Sequence, residues 1–539
     1  MGTSAGSRWT GCSWRCTLRF ANWGDVLSLA RELRSEQFGT SKQGMTMRSQ
    51  PDPKAAFATT QRYSRRSFGT LAAKAALLAV SSGIPLSVHK ARAQNMGAKL
   101  DNAQVANIVK RSYQYVAMYN VNNKAAMDDT NPLSTHGWNK IHKSTKLADA
   151  SMHAIARPNN DTLYQIAMLD LRDEPVILDV PAFDTHFASL ETSGYDGYID
   201  IPLATRNGDY KKPTKLLFYS ARTQGYKPDN KIVGIDKALE MTGDFVIAFT
   251  RVMPESSDPA RHARILDQLE QLNVQTLSEY QGKPTKPPSK VIFPAYGATD
   301  QDTYGTNLLE VMQFIFNCTT FSPSNELDQA LLAAYKPLGL EPGKTFDSSK
   351  VAPIDAAAFR QASEELKQEN IAILGDVSKA EGFLFRAFKP KGQIDLDTLV
   401  FQNVIGPIGQ PADEALYLPV NAADGTPMNA ENDYVIKMTK ERLPPALGFW
   451  SITLYDTKNG WFIPNKEDKY SVGQNAGYKL NAEGGIEIFI AAKKPPNVPP
   501  ENWLPINREN QGISPMLRLY APDLSKAKIW KLPEAQLAS

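Results

Sequence analysis

Cysteine and histidine are both scarce in this chain of 539 residues, which holds three of the first and six of the second. Three cysteines exclude a disulfide scaffold and a zinc-finger array. No H-E-x-x-H pair, acidic calcium loop, G-x-S-x-G elbow, phosphate-cradling P-loop or dinucleotide glycine fingerprint is present. Long apolar runs are missing too. The longest candidate, Leu71 to Leu86, spans about 16 residues and carries Lys74 and Pro85, against the roughly 20 that a membrane helix needs. Nor is there a strong excess of one charge: 60 Lys+Arg face 57 Asp+Glu, a net +3, with 42% hydrophobic residues. That balance excludes a disordered, collagenous or simple coiled-coil protein, and length alone suggests about three or four domains.

The charge is unevenly placed. Met1–Ala93 holds 14 Lys/Arg and 4 Asp/Glu, a net +10, which leaves 46 basic and 53 acidic residues, a net −7, from Gln94 onward. The basic part reads as an export leader: Ser64-Arg65-Arg66-Ser67-Phe68, then the short apolar stretch, then Ala91-Arg92-Ala93. A charged segment, a hydrophobic core and an A-x-A site in that order define a signal peptide, and the paired arginines resemble the twin-arginine address. We therefore expect cleavage near Ala93 and a periplasmic or secreted protein of 446 residues with no membrane span after cleavage. Residues 45–93 suffice for such a leader, so residues 1–44, with Cys12 and Cys16, are expected to be an over-extended start. The acidic mature part removes the case for a nucleic-acid partner. Its one cysteine, Cys318, lies in an apolar helix-like run and reads as a core residue.

Along the mature chain, residues 94–130 begin with a helix over Asp101–Tyr119, capped by Asp101, followed by an asparagine-rich loop, Asn120–Asn131. Residues 131–255 change to short strands: Thr162–Leu171, Val176–Val180, His186–Ser193, Lys215–Ser220 and Asp244–Val252, with Asp173-Glu174-Pro175 and Pro181–Asp184 as turns. Residues 256–400 form a helical connector, with an amphipathic helix over Pro259–Tyr280 and further helices at Leu308–Phe316, Glu326–Tyr335, Ala356–Leu366 and Ser378–Phe388. Strands return in residues 401–535, at Tyr434–Met438, Phe449–Asp456, Ile486–Ala492 and Ser514–Tyr520. The expected fold class is multi-domain β plus α: an N-terminal antiparallel β-sandwich, a helical connector and a C-terminal jelly-roll-like β domain.

Two stretches carry a family resemblance. Arg157-Pro-Asn-Asn-Asp-Thr-Leu-Tyr164, with Leu169-Asp-Leu171 and Val176-Ile-Leu-Asp-Val-Pro181, resembles the signature of domain-of-unknown-function family 1254. Gly448-Phe-Trp-Ser-Ile-Thr-Leu-Tyr-Asp456, with Asn502-Trp-Leu-Pro505 and Leu517-Arg-Leu-Tyr520, resembles family 1214. The resemblance covers most of residues 120–535, and the two families commonly occur in this order in one bacterial chain. It implies an all-β N-terminal domain, a helical part and a jelly-roll-like C-terminal domain. It carries no catalytic residue, because neither family has an assigned activity. One departure is Gly225-Tyr226 in place of the usual small-residue, glycine-rich loop.

The first signature gathers groups that orient polar ligands, with Arg157 suited to a carboxylate or phosphate and Asn160 and Asp161 to hydroxyls. The same residues also suit a local turn in which Asn, Asp and Thr satisfy backbone groups. We take Arg157, Asn160, Asp161, Tyr164, Trp450 and Arg518 as candidate ligand-binding residues. Arg518 alternates with Leu517 and Leu519, so it faces either solvent or a ligand cavity. Asp161, Asp196 and Asp456 are the candidate catalytic carboxylates. No metal site is expected; His142, His153 and His186 are the weak candidates. No cofactor is read from the sequence. Two functions remain open: an exported protein that binds a small polar or amphipathic molecule in a cleft between two β domains, or a periplasmic hydrolase using Asp, Asn and Tyr groups in the same cleft.

Overall fold

The computed structural model describes residues 100–153, 157–374 and 377–538. The leader, its twin arginines and Ala93, and Cys12 and Cys16 lie outside them. Helix α1, Asn102–Met127, opens the described chain, with Asp101 and Gln104 capping each other's backbone amides. It runs on to Met127, through most of the stretch Asn120–Asn131 expected to be a loop. The asparagines there serve the interior: Asn120 donates to Asp300 Oδ1 (2.8 Å) and accepts from the amide of Gly297 (3.0 Å). Tertiary pairing of buried amide side chains thus overrides their weak helix propensity.

The N-terminal β region holds β1 (Lys140–Lys143), β2 (Leu163–Asp170), β3 (Val176–Val180), β4 (Ala188–Ser193), β5 (Asp200–Ala204), β6 (Thr214–Ser220), β7 (Lys237–Met241), β8 (Phe245–Val252) and β9 (Asn273–Thr276). One sheet has the order β1-β2-β8-β4-β5 and the other β7-β6-β3-β9. All pairs are antiparallel except β6 with β7. Leu163, Leu169, Val246 and Ala248 of the first sheet meet Leu178, Leu216 and Phe218 of the second, which makes a sandwich. The first sheet is buried on its other face as well. There Ile166, Met168, Ile247 and Phe249 pack on Met118, Ala125 and Ala126 of α1. Burial on both faces explains why β2 and β8 read as near-continuous apolar runs.

The single helix expected over Pro259–Tyr280 is two helices and a strand. Helix α2, Pro259–Glu270, ends before β9, and α3, Leu277–Tyr280, follows. Strand β9 pairs with the edge of β3, Leu178 opposite Val274, so sheet pairing claims the segment that periodicity assigned to a helix. The helical layer continues with α4 (Asp300–Thr306), α5 (Leu308–Cys318), α6 (Glu326–Tyr335), α7 (Ala356–Leu374), α8 (Val377–Leu384) and α9 (Leu396–Ile405). Its core joins α1 to α5, with Val116, Tyr119, Met312, Ile315 and Phe316. Cys318 is buried there, and burial pushes its thiol up to about 12, as a core cysteine requires.

The C-terminal region has β10 (Ala415–Pro419), β11 (Tyr434–Met438), β12 (Ala446–Asp456), β13 (Ser471–Gly473), β14 (Ile486–Ala491), β15 (Trp503–Pro505), β16 (Ile513–Pro522), the short helix α10 (Leu524–Ala527) and β17 (Ala535–Leu537). Two four-stranded sheets, β10-β16-β12-β13 and β15-β14-β11-β17, face each other across Ile452, Leu454, Leu517 and Leu519 on one side and Ile436, Ile488 and Ile490 on the other. The architecture is mostly antiparallel β at both ends with helices between, and no described helix is long and apolar enough to cross a membrane.

Candidate functional site

In strand β16, Leu517 and Leu519 point into the C-terminal core, so Arg518 and Tyr520 take the opposite face. Register places Arg518 opposite both Ser451 of β12 and Tyr417 of β10, and Tyr520 opposite Phe449. Cross-strand neighbours of this kind stand about 5 Å apart, so Tyr417, Arg518, Ser451, Tyr520 and Phe449 share one outward patch. That patch is covered by the N-terminal β region. Phe187 stacks edge-on against Tyr520 and Phe449, at 5.0 and 5.8 Å between ring centres.

The first family signature supplies the polar part of this cover. Arg157 sits at φ +53° and donates its amide to Gly460 O (2.7 Å); at Gly460, itself at φ +69°, a Cβ would stand 3.2 Å from the Arg157 guanidinium. Asn159 Oδ1 accepts from the amides of Asp161 and Thr162, the local turn that the residue types allow. Its Nδ2 reaches across to Tyr520 OH at 2.9 Å. Asp161 is fully buried, and its Oδ2 accepts from Ser451 Oγ (2.6 Å) and Tyr520 OH (2.9 Å). Asn160, half-buried, bonds Ala148 O and Ser471 Oγ, and Tyr455 OH donates to Pro158 O at 2.6 Å. The signatures of the two β regions therefore interlock.

Satisfaction is incomplete, however. Asp161 Oδ1 is buried with no hydrogen-bond partner. Arg518 is 3% exposed; its Nη atoms donate to Thr453 Oγ1 (2.9 Å) and Arg157 O (3.2 Å), while Nε has no partner. A second buried pair lies beside it: Arg251 of β8 donates to Glu191 of β4 at 2.9 Å, leaving Arg251 Nε and Glu191 Oε2 unmatched. The ring of Tyr164 stands 5.2 Å from the Arg251 guanidinium and that of Tyr417 5.9 Å from the Arg518 guanidinium. Burial raises the pKa of Asp161, with Arg518 and the hydroxyls of Ser451, Tyr520 and Ser471 pulling back; burial raises that of Glu191 too, with Arg251 opposing. Asn159, Thr162 and Tyr164 also line a cleft of about 120 Å³, together with Ser144, Lys146 and Asp149.

Of the residues singled out in the sequence, Arg157, Asn160, Asp161, Tyr164 and Arg518 come together. Trp450 does not. It stacks on Tyr478 at 4.9 Å in the C-terminal core, because strand alternation turns it away from Ser451. Asp196 lies elsewhere, joined to Lys391 and Thr242. Asp456 accepts from the amides of Asn459 and Trp461 and holds a turn. The three histidines are dispersed: His142 meets Ser144, His153 stacks on Trp461, and His186 pairs with Glu255. Among the described residues no group of three metal-binding side chains forms. Sequence reasoning misses Glu191, Arg251 and Tyr417, although a charge inside the otherwise apolar β8 is a readable signal for Arg251.

The fold and this interlocked joint define a two-part β protein, and its parts match two family models in the expected order. Residues 138–271 match "Protein of unknown function (DUF1254)" and residues 414–524 match "Protein of unknown function (DUF1214)". The chain is similar in fold to the crystal structure of the VPA0106 protein from Vibrio parahaemolyticus, at 21% identity and a TM-score of 0.62, over 81% of this chain and all of that one. An uncharacterized protein from Burkholderia cenocepacia aligns at 14% identity and a TM-score of 0.35, over 81% of this chain and 96% of its own. No curated protein matches.

Proposed function

We propose that this is an exported protein, delivered by its twin-arginine-type leader and cleaved near Ala93, that holds a small polar or amphipathic molecule between its two β domains. The observation that carries the reading is the set of unmatched buried atoms at the joint: Asp161 Oδ1, Arg518 Nε, Glu191 Oε2 and Arg251 Nε. Buried polar atoms of ionisable groups are costly to leave without partners. Four of them on residues linked through Tyr164 and Tyr417 favour a space built to receive a polar guest. The aromatic rings around them suit an apolar portion of the same guest.

A thermal-shift screen of metabolites and glycans on the purified protein tests this, with Asp161→Asn and Arg157→Ala beside the wild type. The reading expects at least one compound that raises the wild-type melting temperature and fails to raise that of either variant, both of which fold. If both variants simply unfold, the signature serves structure and the binding role is lost. The export part is tested by sequencing the amino terminus of the protein recovered from the periplasm, which should begin at Gln94; a protein that starts at Met1 contradicts it.

A further inference from the structure

We infer that the cleft beside the first signature binds a small monocarboxylic acid, whose carboxylate takes the hydroxyl protons of Thr162 and Tyr164 while its short apolar tail lies along Leu133, Leu147 and Met152. This site goes beyond the guest proposed at the joint and stands on different atoms. The cleft measures about 120 Å³, and three of the residues that line it, Asn159, Thr162 and Tyr164, are only 6, 2 and 8% exposed. Its other wall comes from the segment 144–152, which is anchored at two points. The Ser144 amide donates to Tyr164 O (2.9 Å), and Ala148 O accepts from Asn160 Nδ2 (2.6 Å). Gln165 Nε2 adds a bond to Ser144 O at 2.8 Å. The cleft is therefore walled by fixed chain on both sides.

Asn159 sets which way the two hydroxyls act. Its Nδ2 donates to Thr162 Oγ1 at 3.1 Å, and its backbone N–H hydrogen-bonds the Tyr164 oxygen. Each oxygen thus already accepts a proton, and among the described residues neither hydroxyl has an acceptor for its own. Buried hydroxyls normally find one, so both protons are available to an acceptor lodged in the cleft. Burial raises the pKa of Tyr164, with Arg251, Arg518 and the Asn159 amide opposing, and the phenol stays a neutral donor.

Charge selects the kind of acceptor. Arg251 stands 5.2 Å from the Tyr164 ring, and both Arg251 and Arg518 act on its hydroxyl more strongly than Glu191 does. Lys146, exposed on the cleft wall, makes no ion pair among the described residues. Such surroundings favour an anionic acceptor over a neutral one. Asp149, also exposed on the wall, is held below the usual carboxylate range by the hydroxyl and amide of Ser151, so a second negative charge on the guest is repelled. Size sets the length. A space of about 120 Å³ is smaller than the roughly 150 Å³ that admits benzene and suits an acid of about three or four carbons.

Isothermal titration of the purified protein with propionate and butyrate tests the site. Butyramide removes the charge, succinate adds a second one, and inorganic phosphate lacks the tail. The expected result is binding of propionate or butyrate, with each of the three controls weaker by about tenfold or more. Tyr164→Phe keeps the ring against Phe249 and Arg251 and should weaken the acid about tenfold. Should that variant fail to fold, Lys146→Met changes only an exposed side chain; it should weaken the acid and flatten the dependence of binding on ionic strength. The site is overturned if neither acid binds, or if a control binds as tightly as the acids. An acid that binds Lys146→Met and Tyr164→Phe as tightly as the wild type overturns it too. The joint is read separately: a compound from the thermal-shift screen that still binds Lys146→Met but not Asp161→Asn belongs there.

Discussion

At the residue scale the joint rests on charges placed inside fully buried strands. Glu191 and Arg251 are both nearly inaccessible and bonded at 2.9 Å. Removing one partner leaves an uncompensated buried charge, so Glu191→Gln or Arg251→Met alone should lower unfolding free energy by about 3–5 kcal/mol. The double variant should recover much of that loss, and chemical denaturation of all four proteins measures the cycle. Asp161 gives a pH signature. Its folded pKa is raised by burial, so the folded protein holds this proton more tightly than the unfolded chain. The associated stability is full below the unfolded value and declines as pH rises through the folded one. Asp161→Asn lacks that decline. In urea melts it should therefore gain stability relative to wild type as the pH is raised from about 4 to about 7, by on the order of 1 kcal/mol. Much of this scale is legible in sequence, since the first signature and Arg518 are polar where their neighbours are apolar. Trp450 is misplaced by such reasoning because residue type does not reveal which sheet face a domain partner will cover. Tyr417 escapes notice because a tyrosine within a strand fits a core equally well.

At the element scale, strands buried on both faces are easy to read. Val176–Val180 and Tyr434–Met438 have the expected bounds, and β2 and β8 differ only at their ends. Short edge strands such as β5, β7 and β9 are not legible, because half-exposed residues there carry no apolar run. The end of α1 is hidden for a related reason: Asn120 gains its partners from Gly297, Asp300 and Thr303, and Asn123 reaches Tyr195, all distant in sequence. Strand packing beside the site supplies a further prediction. Gly473 of β13 lies opposite Ser451, and a Cβ there would stand 2.6 Å from Trp450 O and 2.8 Å from Ser451 Cα. Gly473→Ala must push β13 away from β12, costing about 1–3 kcal/mol in stability. It should also weaken ligand binding by displacing the hydroxyl that bonds Asp161. A variant as stable as wild type would show that β13 is free to shift.

At the scale of the whole molecule, two of the contacts that tie the regions together stand out by their burial. One is the interlocked pair of signatures; the other is Lys391, which joins Asp196 of the N-terminal β region (3.4 Å) to Asp328 of α6 (2.8 Å) under Tyr198 and Phe321. Both carboxylates are fully buried, so Lys391→Met should cost about 3–5 kcal/mol. The loss should be larger at pH 7 than at pH 5, where a proton can stand in for the ammonium. The placement of these ties is not legible in sequence, because residues more than a hundred positions apart meet only once three layers have packed. The central claim is that the joint holds a small guest, and native mass spectrometry of the protein recovered from exporting cells tests it most directly. The account predicts a small-molecule adduct on the wild-type chain that is released on denaturation and absent from Arg518→Met. A bare mass for the wild type, unchanged after incubation with the metabolites and glycans of the thermal-shift screen, would contradict it.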